Sequence, residues 1–94
     1  MNDNTALTQL LSIMKTLRDP KSGCPWDLKQ DFKSIVPHTL EEAYEVADCI
    51  ESGNLDELKG ELGDLLFQIV FYAQLAQEQN LFDCKLSTKK VFLI

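Results

Sequence analysis

Apolar residues recur along this chain at helical rather than strand spacing. Leu7, Leu10, Leu11, Met14 and Leu17 share one face of a helix predicted over about 5–18, with Thr5 or Asn4 as its cap. Asp19-Pro20 ends that helix, because the residue before a proline is pushed out of the α region. Residues 19–38 read as a loop-rich stretch punctuated by Pro20, Gly23, Pro25 and Pro37, with room for one short helical turn around 28–35. Thr39 opens a second helix, with Glu42 at capping-box spacing and Leu40, Ala43, Tyr44, Ala47 and Ile50 as its stripe. Gly53 closes it, and Asn54 caps a third helix that runs from Leu55 to about Gln79 and stops at Asn80. Leu58, Leu62, Leu65, Leu66, Ile69 and Ala73 form the third stripe. The stretch from Leu65 to Ala76 is apolar nearly all round, which predicts burial on several sides and a partner subunit to supply it. Ser87 is placed to cap a last short segment, TKKVFLI. The pattern predicts an all-α antiparallel bundle completed by oligomerisation.

Composition narrows the function. The chain has 94 residues, which fits a single domain over 1–94. Its net charge of −6 excludes a clamp for duplex nucleic acid, which needs a basic surface. An acidic protein still binds anionic nucleotides when metal ions come between. Cys24, Cys49 and Cys84 form no CxxC pair, so reduced cytoplasmic thiols are expected and a zinc ribbon is not. The opening residues, MNDNTALTQ, do not resemble a secretory leader. The apolar stretch of the third helix is too short for a membrane span and contains Gln68 and Gln74.

The chemistry lies on either side of the turn at 52–54. A connection this short makes the two helices antiparallel neighbours. Glu45 and Glu61 each lie about eight residues from the turn, or roughly 12 Å along the helix. Glu42 and Asp64 lie about eleven residues out, or roughly 16 Å. Glu45 should therefore face Glu61, and Glu42 should face Asp64. Spacing of i, i+3 puts each helix's two acids on one face. Carboxylates that meet would repel or take up protons, and a hard divalent cation removes that conflict. Glu41, Asp48, Glu51, Asp56 and Glu57 are expected on solvated faces instead. No ExxH pair, EF-hand loop or P-loop is present.

The segments EEAYE and GELGD resemble the EExxE…ExxD signature of the MazG-type nucleoside triphosphate pyrophosphohydrolases. LLSIMKTLRDPKSGCPWDLKQ looks like the helix and GCPWD loop that open that domain, and the likeness spans roughly 10–82. The resemblance implies the all-α NTP pyrophosphatase fold, assembled as a homodimer or higher oligomer. It implies hydrolysis of a nucleoside triphosphate to the monophosphate and pyrophosphate, with Mg²⁺, or alternatively Mn²⁺, on Glu42, Glu45, Glu61 and Asp64. Glu41 belongs to the motif as a secondary member. The stretch from about 83 to 94 departs from the family pattern, which reads as an atypical or truncated end. Basic help would then come from Lys89, Lys90, the 15–33 region or a second subunit.

Among the remaining candidates, Trp26 is either a wall against a nucleobase or an anchor of the GCPWD loop on the first helix. Lys29 and Lys33, with Arg18, are candidates for neutralising phosphate. His38 reads as a helix-entry residue, and Cys24 and Cys49 as packing residues. Two functions compete. One is an active pyrophosphohydrolase in which metal-activated water attacks the α-phosphorus. The other is a non-catalytic helical dimerisation or nucleotide-sensing module that keeps the acidic face.

Overall fold

The computed structural model describes residues 4–82. Ser87, the TKKVFLI segment and the expected departure at 83–94 lie outside the described residues. Among those described, all regular structure is helical: α1 (Asn4–Leu17), α2 (Pro25–Leu28), α3 (Phe32–Glu51) and α4 (Leu55–Glu78). The all-α class is as expected. Helix α1 begins at Asn4, so Asn4 and Thr5 stand inside its first turn rather than before it.

The largest departure from expectation is the start of the second long helix. It begins seven residues before Thr39, at Phe32, and carries Pro37 inside it. Asp31 is the cap. Its carboxylate accepts from the Ser34 N–H at 2.8 Å, and the Ser34 hydroxyl accepts from the Asp31 N–H at 2.9 Å. Pro37 lies in the second turn and lacks only the N–H that would reach the Lys33 carbonyl, so a single intrahelical bond is forfeited. Ile35, 3% exposed, seats this first stretch in the core. Thr39 is therefore mid-helix. Its hydroxyl bonds back to the Ile35 carbonyl at 3.2 Å and meets the Tyr72 hydroxyl at 2.6 Å, tying α3 to α4.

The turn between α3 and α4 follows from Gly53. Its φ of +76° is the left-handed conformation that glycine adopts without a Cβ penalty. The Gly53 N–H reaches the Ile50 carbonyl and the Asn54 N–H reaches that of Cys49, which closes a Schellman motif. Asn54 occupies the cap position of α4 but makes no side-chain cap bond. Asn80, at φ +59°, ends α4 with the same pattern of bonds, from Asn80 to Gln77 and from Leu81 to Ala76.

Met14, Ile35, Val70, Phe71 and Leu75 form the core, with Leu7, Leu10, Leu11, Phe32, Phe67 and Tyr72 packed around it. The chain itself buries much of the apolar half of α4: Val70, Phe71, Ala73, Leu75 and Ala76 are all covered. Within the stretch from Leu65 to Ala76, Leu66 and Ile69 stay open, and the open face continues outside it. Leu55, Leu62, Leu66 and Ile69 on α4, and Leu40, Tyr44 and Ile50 on α3, are exposed. At 100° per residue these positions fall on the flank of the α3–α4 hairpin opposite its inward acids. No helix among the described residues is long and apolar enough to cross a membrane.

Candidate active site

Three acids converge where α3 meets α4. One carboxylate oxygen each from Glu42, Glu45 and Glu61 lies within 4.8 Å of the others. The turn at Gly53 makes the helices antiparallel neighbours, and the i, i+3 spacing does the rest. Glu45 meets Glu61 as expected. Glu42 also leans toward Glu61 rather than toward Asp64 alone. Asp64 is exposed and contributes no oxygen to the group, although its charge acts on both Glu42 and Glu45. Glu41 is exposed, and its charge adds to the same field.

The electrostatics are those of a cluster lacking a counter-charge. A hydrogen bond with Glu61, then burial, then the neighbouring negative charges push the Glu45 carboxyl up to about 7. Burial raises Glu42 as well. Glu42 Oε2 and Glu61 Oε2 are buried without any hydrogen-bond partner. Buried carboxylate oxygens with neither donor nor cation are costly, and an oxygen-seeking divalent ion supplies what they lack. The donor set therefore fits a hard divalent cation.

These shifts give a signed expectation for the metal-free protein. Glu45 titrates near 7 when folded and near 4.5 when unfolded, so between those values the folded state holds the extra proton. Its contribution to stability is complete below about pH 4.5 and is lost as pH rises through about 7. Melting temperature measured in chelator should fall between about pH 5 and pH 8, and the fall should shrink in Glu45→Gln. A flat profile in the unaltered protein would contradict the raised Glu45 carboxyl.

One turn further from the Gly53 hairpin, the same two helices form a cavity. His38 lies four residues before Glu42, and Gln68 four residues after Asp64, so both continue the line of acids. Trp26, Ile35, His38, Phe67, Gln68 and Phe71 line a space of about 140 Å³. The Gln68 amide donates to the His38 carbonyl at 3.2 Å across the helices. Trp26 is 51% exposed and sits edge-on to His38, with ring centroids 6.0 Å apart. It lies at the cavity, and the GCPWD residues Pro25–Asp27 belong to a short helix rather than a bare loop.

The basic candidates divide. Arg18 is taken up by Glu78 at 2.6 Å and by the backbone of the loop. Lys29 follows α2 and is exposed; Lys33, also exposed, stands on the first turn of α3. Nine residues at 100° each turn Lys33 about half a circle away from Glu42 within one chain. His38 is not at a helix entry but in the second turn of α3. Burial raises the Cys49 thiol, which suits a packing residue. Gln68 went unnoticed in the sequence, although its i, i+4 spacing from Asp64 marks it. Nothing in the sequence signals the tie between Arg18 and Glu78.

A helical hairpin with a carboxylate cluster and an apolar cavity in line defines an all-α class of protein whose acids could hold a metal ion. Comparison with known proteins gives the particular family. Residues 30–92 match the MazG nucleotide pyrophosphohydrolase domain, and the chain belongs to that family. Over 77 residues, 82% of the chain, it is 61% identical to the nucleoside triphosphate pyrophosphohydrolase of Escherichia coli (strain K12), covering 29% of that protein. It is 49% identical over 74 residues, 79% of the chain, to nucleoside triphosphate pyrophosphohydrolase/pyrophosphatase MazG of Thermotoga maritima, again covering 29%. The protein named nucleoside triphosphate pyrophosphohydrolase in Mycolicibacterium smegmatis is 43% identical over 72 residues, 77% of the chain and 21% of that protein. The chain thus spans less than a third of the length of these relatives.

Proposed function

We propose that this chain carries the active site of a cytoplasmic nucleoside triphosphate pyrophosphohydrolase, which converts the triphosphate to the monophosphate and pyrophosphate. The observation that carries the reading is the cluster of Glu42, Glu45 and Glu61, two of whose oxygens are buried and unpartnered, in line with an aromatic cavity on the same hairpin. The names of the relatives point the same way.

Glu42, Glu45 and Glu61 would hold Mg²⁺ or Mn²⁺, with Asp64 completing the set from one turn away. Bound there, the metal would neutralise phosphate charge and lower the pKa of an attacking water. The chain's own residues do the remainder. Trp26 and Phe67 offer flat apolar walls to a nucleobase in the cavity. The acids lie roughly 6–10 Å further along the hairpin at 1.5 Å per residue, which sets the phosphates over them. A carboxylate of the cluster would take the proton that the attacking water releases. Water held over the acids would then attack the α-phosphorus. Lys29, exposed just after the helix that carries Trp26, would meet phosphate charge. The direct test is product analysis with Mg²⁺ present: monophosphate plus pyrophosphate is expected, and diphosphate plus phosphate would overturn the reading.

The exposed stripe formed by Leu40, Tyr44 and Ile50 with Leu55, Leu62, Leu66 and Ile69 supports a homodimer or higher homo-oligomer. Sedimentation at micromolar concentration should give at least twice the monomer mass. Tyr44→Glu with Leu66→Glu should reduce it to the monomer mass. A soluble monomer before substitution would refute the assembly.

A further inference from the structure

We infer that Arg18 and Glu78 form a clasp that positions Trp26 as the wall of the nucleobase cavity, making Arg18 a positioning residue for substrate binding.

The reason lies in what α2 lacks. It is four residues long, and its N-cap, Cys24, makes no side-chain cap bond. A helix this short does not hold its own shape in water. Trp26 rides on it, half-exposed, with His38 as its aromatic neighbour. Something outside α2 has to fix its place.

Two devices do so. At the near end, Gly23 passes so close to α1 that a Cβ there would collide with the carbonyl oxygens of Leu17 and Asp19. The Gly23 and Cys24 N–H groups donate to those same carbonyls, Gly23 to Asp19 at 2.8 Å and Cys24 to Leu17 at 2.9 Å. At the far end stands Arg18. Its Nη1 donates to the Asp27 carbonyl at 2.6 Å and to the Gln30 carbonyl at 3.3 Å, just where α2 runs out. Its Nε and Nη2 hold both oxygens of Glu78, at 3.0 and 2.6 Å. Gln74, one turn earlier on α4, donates to the same Glu78 at 3.0 Å. The guanidinium carbon lies 5.8 Å from the centre of the Phe71 ring, which lines the cavity from below.

A planar fork of N–H donors is thus divided between the two sides of one gap. Two donors point to the end of α4, and one reaches the loop that carries Trp26. Lysine retains the charge but has no fork, so it cannot hold both sides in register. In the sequence 60 positions separate the partners.

The inference rests on the reading of Trp26 as a base wall, so the test is a double-mutant cycle on KM, using Arg18→Lys, Trp26→Ala and the pair. Arg18→Lys should raise the KM for nucleoside triphosphate about five- to tenfold while kcat stays within about twofold. Trp26→Ala should raise KM as well, and adding Arg18→Lys to it should raise KM little further, because residues that act through one another are not additive. Glu78→Gln should reproduce the Arg18→Lys effect, and fluorescence of the Trp26 indole should shift in both. If Arg18→Lys lowers the melting temperature but leaves KM and Trp26 emission unchanged, the clasp serves stability alone and the inference falls, while the base wall stands. Additive effects on KM would also overturn it, since Arg18 would then act independently of Trp26. If Trp26→Ala itself leaves KM unchanged, the base-wall reading fails and takes the clasp's role with it.

Discussion

Glu45→Gln and Glu61→Gln should each lower the turnover rate by at least about 100-fold, the scale on which single electrostatic groups act at reacting phosphates and carbonyls. The two together should cost little more than either alone, because groups that hold one metal assembly fail as a unit. Asp64→Asn should fall with them. Stability should move the other way. In chelator, Glu45 stands beside Glu61 in a negative field that raises its carboxyl, and an amide at either position removes one of the repelling charges. The metal-free variants should therefore melt no lower than the unaltered protein. With Mg²⁺ they should lose the stabilisation that the ion gives the native state. Rate lost together with metal-free stability would mean that these acids support the fold rather than the reaction.

Phe71→Ala is expected to have the largest effect on stability of any substitution in the described residues. Phe71 is 1% exposed. Met14, Ile35, Val70 and Leu75 share the core with it, Phe67 leans on it at 6.5 Å, and the Arg18 guanidinium lies over its ring. Truncating a buried phenylalanine costs about 3–5 kcal/mol, through lost transfer free energy and the cavity left behind. Domains as a rule hold only about 5–15 kcal/mol in total, and small ones sit at the low end. The variant should be largely unfolded or melt far below the unaltered protein, while Phe71→Leu should cost less than about half as much. Denaturant titration at matched metal concentration measures both. A loss below about 1 kcal/mol for Phe71→Ala would contradict the central place given to this ring.

The structure shows how far the sequence carries such expectations. Periodicity placed α1 and α4 to within a residue or two because each has an unbroken apolar stripe and a clean stop, at Asp19-Pro20 and at Asn80. Gly53 was legible because only a left-handed residue closes so tight a turn. From that turn alone, counting along the helices brought Glu45 level with Glu61. Lateral placement was not available by counting, and so Glu42 joins Glu61 while Asp64 stands off. The start of α3 was misplaced because a proline normally marks a boundary. Here the Asp31–Ser34 capping box and the buried Ile35 outweigh one missing bond. The width of the apolar surface on α4 was overestimated, because α1 covers part of it. The cavity and the Arg18 clasp join residues far apart in sequence, and no local pattern encodes them.

The most direct measurement of the central claim is hydrolysis in ¹⁸O-labelled water with Mg²⁺, followed by mass analysis of both products. Attack at the α-phosphorus breaks its bond to the bridging oxygen, which leaves with pyrophosphate, while the water oxygen stays on the nucleotide. One label per turnover should therefore appear in the nucleoside monophosphate and none in pyrophosphate. Label in pyrophosphate would place the attack at the β-phosphorus. A nucleoside diphosphate product, or no turnover with Mg²⁺ bound and Glu42, Glu45, Glu61 and Asp64 intact, would contradict the account outright.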